Sequence, residues 1–137
     1  MRVCLASTSP ARLMLMHQAG IDPITIAPDV DEDAVIAAVE AAEGRTLAPA
    51  EHVLLLARRK AAAVVARLAD DDPDFDGLVV GGDSMFEING EVLGKPHDPE
   101  VARRRWHEMR GRTGILHSGH AVIRVVPGQA AHEVHEV

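Results

Sequence analysis

"LVVGGDSMFEINGEVL", residues 78–93, is the stretch that decides the fold. Leu78, Val79 and Val80 make a short apolar run of the kind that fills a central strand. Gly81 and Gly82 read as the end of that strand, with Asp83 immediately beyond it. Residues 85–88 and 91–93 then flank Asn89-Gly90, a strong short-range hairpin signal. The chain runs on into Gly94-Lys95-Pro96, which invites comparison with a phosphate loop. The pattern G-x-x-x-x-G-K-[ST] fails, because Gly90 is one residue too near Gly94 and Pro96 stands where the magnesium-binding hydroxyl belongs.

Working outward, residues 3–6 read as a short buried strand. Ser9-Pro10 then starts a helix, with serine as N-cap and proline at the first helical position, and Gly20 stops it. Ile24, Thr25 and Ile26 suggest a second strand, followed by the acidic segment 29–33 and a short alanine-rich helix over 34–43. The longest helix covers 49 to about 68. At about 100° per residue, Val53, Leu54, Ala57, Ala61, Val64, Val65 and Leu68 share one face. Residues 70–76 form an acidic loop, Asp98-Pro99 caps a further helix ending near Gly111, and 114–126 reads as one or two strands. Residues 128–137 offer no caps and little apolar periodicity. Strands alternating with helices indicate an α/β domain, to which the Asn-Gly hairpin adds an antiparallel element.

The chain has 137 residues, 47% hydrophobic and 26% charged, enough for one domain with a real core. The start runs directly into a strand without the apolar stretch of a secretory signal, and no run reaches the length of a membrane span. The single cysteine agrees with a reducing cytoplasm, so a cytoplasmic protein without membrane attachment is expected. Cys4 lies in the first apolar run and reads as a buried, inert thiol. A net charge of -7 argues against nucleic-acid binding, which depends on basic surface, yet leaves room for a small phosphorylated ligand in a locally positive pocket.

Several residues could carry chemistry. In "LASTSPAR", residues 5–12, a strand ends in hydroxyls and a helix begins with Arg12 in its first turn. Free N–H groups and the helix dipole make such a corner an anion site, although from this stretch alone Ser9 as a plain N-cap and Arg12 as an exposed side chain is the simpler reading. Lys60 falls about 80° from the centre of the apolar face, where it either snorkels into solvent or aims its ammonium into a cleft. Asp83 is the sharpest candidate. In open α/β sheets ligands lie beyond the carboxyl ends of the strands, and two glycines allow close approach to the backbone. A carboxylate there can hold a hard cation or take a proton from water; the alternative is a simple Asp-Ser turn. Glu32, in the acidic loop, could be a second oxygen ligand, and Lys95 a cation near Asp83. His132 and His135 are one residue short of the H-E-x-x-H zinc motif, and His117 and His120 would face opposite sides of a strand, so no zinc site is expected.

These residues, in this order, resemble the Maf family of nucleoside triphosphate pyrophosphatases, named for septum formation. "LASTSPARLMLMHQAGI" is similar to the family's L-A-S-x-S-P-x-R opening, "DVDED" to its D-x-x-E segment and "LARRKA" to its L-A-x-x-K-A. "VVGGDS…NGEVLGKP" resembles its strand, hairpin and G-K-P, and "MRGRTGILHSGHAVI" the stretch that follows. The match covers nearly all of residues 3–123. Departures are Ala11, where many members carry arginine and one subgroup tryptophan, and Ser84, where threonine or glutamine is usual.

The resemblance implies an α/β fold of Maf/ITPase-like architecture, a mixed twisted sheet with flanking helices, two-lobed around a central cleft, and frequent homodimers. It implies that residues 1–137 form a single such domain without the family's C-terminal segment. It further implies hydrolysis of a nucleoside triphosphate between the α and β phosphates, with magnesium, or manganese in its place. Asp83 matches the catalytic acid and Glu32 its supporting carboxylate, both also expected at the metal; Ser7, Ser9, Arg12, Lys60 and Lys95 match phosphate-binding positions. The substrate expected is a non-standard or pyrimidine nucleotide. The alternative is a non-catalytic nucleotide-binding regulator of cell division.

Overall fold

The structure is a computed structural model and describes residues 1–93 and 97–137. Its elements run β1 (Arg2–Ala6), α1 (Pro10–Gln18), β2 (Ile24–Thr25), α2 (Glu32–Glu43), α3 (Pro49–Asp71), β3 (Gly77–Ile88), β4 (Glu91–Leu93), α4 (Pro99–Met109), β5 (Ile115–Val125) and β6 (His132–Glu136).

The helix starts follow from local chemistry. Ser9 has extended backbone and its side chain accepts the Arg12 N–H, with Pro10 pre-set at the first helical position. Asp98 accepts the N–H groups of Glu100 and Val101 in the same way at α4. At α2 the expected start moves: Glu32 is the first helical residue, not part of a loop. Asp31 is the cap that accepts the Ala34 N–H, and acidic residues in a first turn are favoured by the helix dipole. Ala48, before α3, has no capping side chain. Glu51 compensates by reaching back to the Ala48 N–H at 3.2 Å while Arg45 grips both its oxygens, at 2.9 and 2.6 Å. Those bonds hold the Glu51 carboxyl down at about 2.

The strands form one sheet in the order β2-β1-β3-β5-β6, with β4 added on β3. β1 is parallel to β2 and β3, and the β3–β5, β5–β6 and β3–β4 pairs are antiparallel. The hairpin at Asn89-Gly90 is present, both residues adopting positive φ, 53° and 76°. The expected end of the strand at Gly81-Gly82 is not. β3 continues unbroken for 12 residues, because Gly81, Gly82 and Asp83 are laddered to Ala121, His120 and Gly119 of β5. Residues 115–125 are correspondingly one strand rather than two. The polar tail also supplies β6, whose residues are all exposed on the sheet edge.

The core lies between α3 and the sheet. Cys4, Ala6, Val79 and Ala121 from three strands meet Ala57, Ala61, Val64 and Leu68 of α3, with Phe75 closing one end at 1% exposure. Leu54, expected on this face, is half-buried. Leu56 is buried instead, with Ile36 and Leu47, so α3 has a second apolar face against α2. Burial pushes the Cys4 thiol up to about 11, which removes the reactive thiolate at neutral pH. A thiol reagent should therefore leave the native protein unlabelled and label it fully once denatured; fast native labelling would show that β1 is not packed in the core.

Candidate active site

The two elements paired to the same edge of β3 leave a gap. β1 ends with Ala6 opposite Gly81, and β4 begins to pair at Phe86, so residues 82–85 have no ladder partner on that edge among the described residues. A cleft of about 460 Å³ opens there, a size that suits a small molecule. It lies at the carboxyl end of the parallel strands, as the topology rule for α/β sheets requires, although Asp83 itself sits inside a strand.

Side chains alternate along β3, so the gap is approached from both faces of the sheet. Gly81 faces the α3 backbone and Gly82 faces Arg12. Asp83 therefore points to the α3 side, where Lys60 waits at 2.8 Å. The same ammonium lies 2.9 Å from Glu32 at the start of α2. Lys60 and Asp83 are of intermediate burial, with side chains 14% and 13% exposed, while Glu32 is open to solvent at 48%. Burial works against the lysine's charge, yet the bonds from Asp83 and Glu32 outweigh it and raise its pKa. Of the two readings open for Lys60, the geometry selects the cleft.

On the other face, Arg12 extends from the first turn of α1 along Gly82. Its guanidinium donates to Ser7 and to Ser84, each at 3.3 Å, and Ser84 shares a 3.1 Å hydrogen bond with Ser118 of β5. Ser7 is buried and also accepts the Ser9 N–H at 3.0 Å. A cation, serine hydroxyls from the loop before α1 and from β3, and a helix N-terminus thus converge on one corner, the composition of an anion site.

Six of the sequence-derived candidates, Ser7, Ser9, Arg12, Glu32, Lys60 and Asp83, line this one cleft. Lys95 lies outside the described residues. Among the described residues, His52 and His97 on the cleft and Ser118 behind Ser84 had not been singled out in the sequence. His52 and Leu56 recur every four residues with Lys60 on α3 and line the cleft beside it, a stripe that the helix period could have shown. His97 borders the cleft with a positive φ of 52°, and Ser118 is placed only by its register opposite Ser84; neither had a local signal. His132 and His135 lie on exposed β6, and among the described residues no group of three or more His, Cys, Asp or Glu could hold a metal.

The donor chemistry nevertheless fits one ion. Asp83 and Glu32 offer oxygen to a common point, now filled by the ammonium. Magnesium typically takes one or two carboxylates and completes its octahedron with waters and phosphate oxygens.

Comparison with known proteins gives a consistent result. The family model for Maf-like proteins matches residues 2–137. A nucleoside triphosphate pyrophosphatase of Leifsonia xyli subsp. xyli is 58% identical over 123 residues, covering 90% of this chain and 56% of that protein. Proteins with the same name from Nocardia farcinica and Rhodococcus jostii are 50% and 46% identical, over 94% and 96% of this chain and 58% and 59% of their own lengths. The chain thus spans rather more than half the length of the curated relatives it matches.

Proposed function

The chain belongs to the family of Maf-like proteins, and on that premise we propose that its cleft binds a nucleoside triphosphate and hydrolyses it between the α and β phosphates. The products are a nucleoside monophosphate and pyrophosphate. The observation that carries this reading is the gap in the edge of β3, where Asp83 pairs with Lys60 on one face of the sheet and Arg12 reaches Ser84 on the other.

A polyphosphate resists attack because its own charge repels the nucleophile. Arg12, with Ser7, Ser9 and the first N–H groups of α1, binds one part of the phosphate chain. Lys60 neutralises another part from the α3 side, and Lys95 is a further cation of this reading. Asp83 orients the attacking water and accepts its proton, so no covalent intermediate is required. A divalent cation, magnesium or manganese, held by Asp83 and Glu32 would supply additional neutralisation of the phosphate oxygens. The net charge of -7 agrees with a small substrate rather than a nucleic acid.

The test is a panel of standard and modified nucleoside triphosphates with magnesium, followed by separate assays for pyrophosphate and orthophosphate. Pyrophosphate and the monophosphate should appear in equal amounts. Orthophosphate as the first product would move the cleavage to the terminal phosphate and overturn the reading. Tight binding without any release would leave a nucleotide sensor instead.

A further inference from the structure

Lys60 occupies the point between two carboxylates that a divalent cation would need. Its ammonium lies 2.8 Å from Asp83 and 2.9 Å from Glu32, on a side chain only 14% exposed. We propose that Lys60 is a built-in stand-in for the metal, which blocks divalent cations from Asp83 and Glu32 until a triphosphate draws the ammonium away. This rests on the reading of those two carboxylates as the metal-holding pair.

Asp83 is 13% exposed and needs a counter-ion whether or not a ligand is present. With the cleft empty, the lysine supplies it. A divalent cation on the same oxygens would sit within a few ångströms of the ammonium, where like charges in a poorly solvated site repel strongly. The two cannot share the pair unless a new anion takes one of them. A triphosphate is that anion: it offers oxygen to the ammonium and further oxygen ligands to the cation. A lysine suits the exchange because its compact charge rides on a flexible four-carbon stem, whereas an arginine fork is committed to one planar partner. The stem starts on α3, which is fixed to the sheet through Ala57 and Ala61, so only the end of the side chain has to move.

Metal and nucleotide binding must then be coupled, each tightening the other by the same factor. Lys60 would carry most of that coupling. A lysine that served only as a permanent partner of Asp83 would produce none of it, since metal would bind elsewhere and ignore the substitution.

Mn2+ binding followed by electron paramagnetic resonance separates these cases on the 137-residue chain. Without nucleotide, the parent should bind Mn2+ weakly and Lys60→Met at least tenfold more tightly; equal or weaker binding by the variant overturns the proposal. A non-hydrolysable triphosphate analogue should tighten Mn2+ at least tenfold in the parent and much less in Lys60→Met, and equal tightening in both again overturns it. Lys60→Arg keeps a positive charge beside the two carboxylates, so it should hold Mn2+ as weakly as the parent even if Lys60→Met does not fold. A gain in Lys60→Arg would show that charge is not the obstacle. Failure of the analogue to bind would sink the triphosphate reading alone, because the metal-only comparison needs no nucleotide.

Discussion

Asp83→Asn is expected to lower the rate of pyrophosphate release by roughly 10²–10⁴-fold, the range for loss of a positioned proton acceptor, while triphosphate binding measured without a divalent cation persists within a few-fold. Asparagine has the same shape but no charge, so it can neither take a proton from water nor attract a cation. The phosphate corner on the other face of the sheet, Arg12 with Ser7 and Ser84, is untouched by the change. Removing one partner of a buried ion pair ordinarily costs about 3–5 kcal/mol, because the other charge is left alone. Lys60 is not left alone here, since Glu32 remains 2.9 Å from it. The thermal midpoint should therefore fall much less than the rate. Calorimetric binding, steady-state pyrophosphate release and a melting curve on one preparation separate the effects. A rate within a few-fold of the parent would remove Asp83 from the chemistry, whatever happens to stability.

The parts of this arrangement legible in the sequence are those set by neighbours along the chain. The caps Ser9 and Asp98, the prolines after them and the Asn-Gly turn each act within four residues, and each appears where its chemistry placed it. What was misread depends on distant contacts. Gly81 and Gly82 looked like the end of a strand, yet they are small because α3 presses on one and Arg12 on the other. Leu56 lies off the apolar face that the helix period gives, because its partners Ile36 and Leu47 belong to other segments. β6 went unseen because an exposed edge strand, His-Glu-Val-His-Glu, carries no apolar alternation. The site shows the same division. Asp83, Lys60 and Glu32 could each be named from the sequence, but one ammonium holding both carboxylates is a property of three elements brought together. Ser118 and His97 left no local trace at all.

Gly81→Ala and Gly82→Ala, one residue apart, should fail in opposite ways. A Cβ on Gly81 would lie 2.2 Å from the carbonyl oxygen of Ala57 and 3.0 Å from the Ala61 side chain. The obstacle is helix backbone, which cannot rotate aside, so α3 must lift off the sheet and carry Lys60 with it. Overpacking of this kind costs about 1–3 kcal/mol or more, and a loss of roughly 5–15 °C in thermal midpoint is expected. A Cβ on Gly82 would instead meet the Arg12 side chain, 3.0 Å from its Nε and 3.4 Å from its Cδ. That group is the far end of a flexible chain and can swing away at little cost to the fold. It would leave Ser7 and Ser84 as it goes, so triphosphate binding should weaken by about tenfold, the scale of one charged hydrogen bond, with the midpoint nearly unchanged. Melting curves and triphosphate affinities of the two variants make the test. If Gly81→Ala melts with the parent, α3 is not seated on β3 as described. If Gly82→Ala binds like the parent, Arg12 takes no part in holding the phosphates.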